Sequence, residues 1–165
     1  MAYLLGIDLG TSSLKTIVLS TDGKILAANA VDYSFDSPVT GWAEQDPEVW
    51  WDACVRTIRA AVAEAGIDPA EVSAMGFSGQ MHGVVPVDKD YKVIRPAILH
   101  CDARSGAQAA RLKEMFSVDE CRSLFRNPIY PGFMLPSLLW MREEEPANFV
   151  RVPMYARRRT TSASA

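Results

Sequence analysis

The stretch Asp8-Leu9-Gly10-Thr11-Ser12-Ser13-Leu14-Lys15 sets a carboxylate, a glycine, three hydroxyls and a cation within eight residues. A triphosphate is a crowded array of anionic oxygens. It is held by backbone N–H groups, small hydroxyl side chains and a positive charge, with no bulky side chain in the way. Gly10 allows close backbone approach, Thr11, Ser12 and Ser13 supply donors, and Lys15 supplies charge. Asp8 would repel phosphate, so its chemical use is to hold water on Mg²⁺. The same residues also suit a plain hairpin bend with a surface lysine. The GxxxxGK[ST] phosphate loop is absent.

A second stretch, Ser78-Gly79-Gln80-Met81-His82-Gly83, follows an apolar run, and glycines bracket its polar groups. Such a loop can offer Gln80 and His82 to a small polar ligand at a strand end. His82 can equally be a structural histidine and Met81 core filler. Gly76-Phe77-Ser78-Gly79-Gln80 approaches the GxSxG nucleophile elbow of hydrolases. Gln80 stands where the last glycine belongs, however, and His82 is too near in sequence for the usual triad order.

The third cluster is His100-Cys101-Asp102-Ala103-Arg104. With His82 it contains possible metal ligands, but at no zinc spacing. Asp102 suits the N-cap of a helix starting at Ala103. Alternatively, Asp102 and Arg104 reach a polyol, because charged groups discriminate hydroxyl geometry well. Trp42, in Gly41-Trp42-Ala43-Glu44, can stack on a sugar face or anchor its loop; the anchor is favoured.

Composition narrows the field. The chain has 165 residues, enough for one domain with a core. Seventeen basic and 20 acidic residues give a net charge of −3, which points away from nucleic acid and anionic membranes. No apolar run approaches the roughly 20 residues of a membrane span, and the N-terminus lacks a basic-then-apolar leader. Cys54, Cys101 and Cys121 are odd in number and widely spaced, as expected of reduced thiols in a cytoplasm.

The elements that must position these residues follow from pattern. Tyr3–Asp8, Leu14–Ser20 and Lys24–Phe35 read as three antiparallel strands, the last two joined at Asp22-Gly23. Asp46 and Pro47 open a helix with a stripe at Trp51, Val55, Ile58, Val62 and Ala65, stopped by Gly66. Val72–Phe77 is a further strand. His82–Val87 and Val93–Leu99 read as a strand pair around Asp88–Asp90. Ala103–Met115, 118–126 and 135–144 read as helices. The order β-β-β-α-β fits a layered α/β domain, and its topology resembles the ribonuclease-H-like half of actin-type ATPases.

Taken together, five stretches in order resemble one family. GIDLGTSSLK, GWAEQDPEVWW, GFSGQMHG, RPAILHCDARS and NPIYPGFMLPSLLWMREEEP are similar to the N-terminal domain of the FGGY carbohydrate kinases, over about Tyr3 to Val152. The SGQMHG form is similar to the xylulokinase branch. The resemblance implies two ribonuclease-H-like domains closing on a cleft, of which residues 1–152 would form an incomplete first part, a mixed sheet with flanking helices. It implies transfer of the ATP γ-phosphoryl, with Mg²⁺, to a small sugar, and for xylulokinases to the 5-hydroxyl of D-xylulose. It places Asp8 at the metal and phosphate site, and Gly10, Thr11, Ser12 and Lys15 in the phosphate loop. It puts Gln80, Met81, His82, Asp102 and Arg104 toward the sugar. His100 stands where the family usually carries Trp. The family's catalytic-base Asp and adenine-binding domain lie beyond the matching segment, so this chain by itself is expected to have little or no kinase activity. Full-length members of the family can dimerise, which leaves the oligomeric state open.

Residues 153–165 depart from the family, ending Arg157-Arg158-Arg159-Thr160-Thr161-Ser162-Ala163-Ser164-Ala165. This is the composition of a disordered terminus. One choice of codons for it, read in a shifted frame, spells PQDYVRLR, similar to the family's continuation LPKDYIRFRLTG. A frameshift near 151–157 is therefore expected, with a cloned fragment as the competing account.

Overall fold

In a computed structural model, residues 2–153 are described; apart from Pro153, the expected disordered tail lies outside them. The first strand, β1 (Tyr3–Leu9), buries Leu5 and Ile7 on one face. It runs antiparallel to β2 (Ser13–Ser20), from Tyr3↔Ser20 to Leu9↔Leu14. β2 sends Leu14, Thr16 and Val18 to that same face, since side chains alternate along a strand. After the turn at Gly23, β3 (Ile25–Asp32) returns antiparallel to β2.

Beyond β4 (Glu44–Gln45), helix α1 (Pro47–Ala65) crosses the sheet and leads to β5 (Val72–Gly79), which lies parallel to β1. The sheet order is β3-β2-β1-β5, the expected mixed sheet. The ends of α1 are as predicted: Asp46 accepts the Glu48 N–H at 3.0 Å, and Gly66 closes the helix at φ 63°. Its buried face is not. Ala53, Thr57 and Ala61 meet the sheet, with Ile58, Val62 and Ala65 beside them, while Trp51 is 65% exposed. Small side chains let the helix approach the strands, and the Thr16 and Thr57 hydroxyls bond at 2.8 Å within this buried layer.

The second half departs further from the prediction. The expected hairpin of 82–99 is reduced to the bridges Val84↔Ile98 and Val87↔Val93, because Pro86 and Pro96 have no amide for a ladder. Instead β6 (Ala97–Ile98) pairs with β4. Helix α2 spans Gly106–Met115, three residues later than predicted, so Asp102 does not cap it. The predicted 118–126 helix is α3 (Val118–Glu120) with a capping box between Ser117 and Glu120, running into a π-helical turn that ends at Arg126 with φ 53°. Helix α4 (Met134–Glu144) packs Trp140 and Met141 against Val84 and Ile98, and the short α5 (Pro146–Phe149) follows it. Among the described residues no helix is long and apolar enough to cross a membrane.

Candidate active site

The chain turns sharply where β1 ends. The Gly10 N–H donates to the Ser13 carbonyl at 2.9 Å, and a Cβ on Gly10 would stand 3.0 Å from that oxygen. Two further residues hold the turn, Tyr33, which carries no motif signal, and Gln45 of the GWAEQDPEVWW stretch. The Tyr33 hydroxyl donates to the Gly10 carbonyl at 2.7 Å, and its N–H donates to the Ser12 carbonyl. Buried Gln45 donates to the Thr11 carbonyl at 2.8 Å and accepts the Trp50 indole N–H at 3.0 Å.

Parallel pairing brings the second loop alongside. Asp8 faces Ser78 and Leu9 faces Gly79 across β1 and β5, so both strands release their loops at the same end of the sheet. The Gln80 N–H donates to the Leu9 carbonyl at 2.8 Å, and the Thr11 hydroxyl donates to Gln80 Oε1 at 3.3 Å. Between the loops lies a cleft of about 310 Å³. Asp8, Gly10 and Thr11 border it on one side, and Gln80, Met81 and His82 on the other, with His100 at the end. Ligands of open α/β sheets bind at such carboxyl ends of parallel strands.

The remaining expected site residues lie elsewhere. Ser12 is exposed beside the turn. Lys15 pairs with Asp8 across β1 and β2 and borders a neighbouring groove with Ile17 and Phe77, not the cleft. Asp102 and Arg104 do not reach the cleft. Both side chains are fully buried and ion-paired at 2.8 Å; Arg104 also meets Glu44 at 2.6 Å, and Asp102 accepts the Ala43 N–H. The expectation that they reach a polyol is corrected on that ground, because groups with buried partners cannot turn outward without stranding charge. Trp42 is the loop anchor, edge-on to Trp140 with the Arg104 guanidinium 3.8 Å from its ring centre. Ser78 sits in the extended strand β5 and no helix follows it directly, so the nucleophile elbow is absent.

The model of the FGGY family of carbohydrate kinases, N-terminal domain, matches residues 3–159. The chain belongs to this family. Curated FGGY relatives include the xylulose kinase of Bacillus subtilis, 36% identical over 155 residues, covering 94% of this chain and 31% of that one. The xylulose kinase of Escherichia coli is 38% identical over 148 residues, covering 90% and 30%. A solved xyloylose kinase of Brucella ovis superposes with a TM-score of 0.83 at 35% identity, over 91% of this chain and 31% of its own. That of a xylulose kinase from Rhodospirillum rubrum gives 0.84 at 26%, over 91% and 31%. The chain thus spans about a third of the length of the relatives it matches. Its fold is the actin-like ATPase α/β fold of FGGY sugar kinases.

The FGGY cleft fits the groups this family implies. Gln80 Nε2 is buried and unpartnered at its edge, a donor suited to an oxygen-rich ligand. Asp8 is the carboxylate bordering the cleft, and one carboxylate suits a Mg²⁺ that keeps most of its water.

Tyr33 provides a test of the turn. Burial and the charge of Asp8 push its phenol up to about 12 from 10.0. A raised phenol favours the folded state fully below pH 10, and that contribution is lost as pH rises through about 12. Tyr33→Phe is expected to cost about 1 kcal/mol of stability from the lost Gly10 bond. It should also remove from the phenolate absorbance curve the step that runs through about 12. Loss of a step near 10 instead would show that Tyr33 is not held beside Asp8.

Proposed function

We propose that this chain forms the sugar- and phosphate-facing part of a xylulokinase-type phosphotransferase, which moves the γ-phosphoryl of MgATP to the 5-hydroxyl of D-xylulose. The observation that carries this reading is the single cleft shared by the Asp8–Thr11 turn and the Gln80–His82 loop. The names of the curated relatives support the substrate.

Phosphoryl transfer depends on positioning and charge neutralisation more than on covalent chemistry. Gly10, Thr11 and Ser12 give the phosphates close backbone approach and hydroxyl donors, and Lys15 adds positive charge from the adjoining strand. Asp8 orients the water around Mg²⁺, which when bound supplies charge neutralisation at the phosphates. Gln80 and His82 bond the sugar hydroxyls, and Met81, 70% exposed, covers an apolar edge of the sugar. A sugar held so close to the phosphate turn leaves little room for competing water.

The test is binding before turnover. D-xylulose, D-ribulose, gluconate and glycerol are titrated against the chain while the His82 ring resonance is followed by NMR. D-xylulose is expected to bind tightest, and His82→Ala to weaken it about tenfold, the value of one good hydrogen bond. Asp8→Asn is expected to leave sugar affinity unchanged while abolishing the Mg²⁺-dependent response of the turn to ATP. Preference for another polyol would reassign the substrate within the family. ATP turnover with D-xylulose at the rate of a full-length kinase would overturn the expectation that the isolated chain is nearly inactive.

A further inference from the structure

The imidazole of His82 does not stand alone at the cleft. Its ring lies 3.9 Å from that of Phe133, at an interplanar angle of 9°. His82 borders both the cleft and an apolar cavity of about 410 Å³ behind it; Phe133 borders only the cavity. His82 thus stands where the two spaces meet, with one face of its imidazole covered by the phenyl ring. Its backbone is at φ 65°, a conformation that side-chain-bearing residues rarely hold without support from their surroundings.

Phe133 is itself fixed. Tyr130 meets its ring edge-on at 5.8 Å between centres. The preceding Gly132 lies so close to the chain at His100 that a Cβ would fall 2.2 Å from the His100 carbonyl, and its N–H donates to the buried Ser105 hydroxyl at 3.2 Å. The Gly132-Phe133 segment thus joins the two histidine-bearing walls of the cleft, His82 by stacking and His100 by backbone contact.

We infer that Phe133 is the positioning residue of the sugar site: by covering one face of His82 it fixes the plane of the imidazole, so that its ring nitrogens meet a polyol hydroxyl in the cleft. Stacked rings prefer this near-parallel arrangement, and a ring held before binding loses less freedom when the ligand arrives. The inference rests on the proposed sugar site, and Phe133 touches no reacting group.

The experiment uses the full chain, whose two histidines make ring resonances simple to assign. In the unsubstituted protein the His82 ring proton is expected upfield of that of His100, from the Phe133 ring current. Phe133→Leu should abolish that shift and weaken D-xylulose about tenfold. Phe133→Tyr, which keeps ring on ring, should restore both to within about twofold. In a His82→Ala background Phe133→Leu should change affinity no further, because the residue acts through His82. A merely structural role would lower the urea midpoint without this pattern. If Phe133→Leu does not fold, the tyrosine variant decides: an upfield His82 with a tenfold loss of affinity overturns the inference. So does a leucine variant that binds as tightly as the parent. Failure of the parent chain to bind any sugar would overturn the proposed site itself, and this inference with it.

Discussion

Arg104→Met is expected to destabilise the chain by about 3–5 kcal/mol, the usual cost of removing one partner from a buried ion pair. The Arg104 side chain is fully buried. Its Nε lies 2.9 and 3.0 Å from the two Asp102 oxygens, Nη2 is 2.8 Å from Oδ2, and Nη1 is 2.6 Å from Glu44. Its plane rests 3.8 Å from the centre of Trp42 and 4.9 Å from that of Trp140. Arg95 continues the network, pairing with Glu44 and lying 3.5 Å from Glu145. Methionine fills much of the space but leaves the buried Asp102 carboxylate without its cation, and Glu44 with Arg95 as its remaining partner.

Arg104→Lys should recover little, because an ammonium cannot make the planar two-pronged contact or lie against the Trp42 ring as the guanidinium does. Adding Asp102→Asn to Arg104→Met should cost less than the sum of the single losses, since the two groups serve one another. Urea unfolding followed by tryptophan fluorescence reads all four values. A loss below about 1 kcal/mol for Arg104→Met would mean that the pair is solvated, as surface pairs are.

Gly132→Ala should have an effect of similar size from a single methyl group. The glycine holds φ 78°, where a Cβ costs about 1–2 kcal/mol. That Cβ would also lie 2.2 Å from the His100 carbonyl oxygen and 2.9 Å from that of Asp102. These are backbone atoms, which cannot swing aside as a side-chain tip can. Overpacking adds about 1–3 kcal/mol, for a total of about 2–5 kcal/mol. The damage should spread beyond stability, because moving Gly132 away from His100 carries Phe133 off His82. The expected signature is a lowered urea midpoint together with loss of the upfield His82 resonance. Gly66→Ala is the control: that glycine also has positive φ, at 63°, but nothing lies within 4 Å of its added Cβ. It should cost only the conformational part and leave His82 unmoved.

The two glycines look alike in sequence, and the difference between them marks the limit of reading one. Gly66 ends an amphipathic helix that begins at Asp46-Pro47, and both caps are written in neighbouring residues. The β1–β3 ladder is legible for the same reason: alternation and the Asp22-Gly23 turn act over a few residues. The course of 82–99 and the start of α2 are not legible in the same way. There the outcome turned on β6 choosing a distant strand, β4, and on Asp102 finding the Ala43 amide, 59 residues away.

The sequence by itself determined which groups could do chemistry: a small-residue turn with Asp8, Gly10 and Thr11, and a glycine-bracketed loop with Gln80, Met81 and His82. Residue type sets hydrogen-bonding and charge capacity, and those capacities survive any fold. Tertiary structure alone decided which of these groups border the cleft. Parallel pairing of β5 with β1 placed Gln80 on Leu9, whereas buried partners turned Asp102 and Arg104 inward. The physical reason is that a polar group's use depends on whether its partner is protein or solvent, and the partners here lie 2 to 71 residues away in sequence, Asp102 from Arg104 at one extreme and Gln80 from Leu9 at the other.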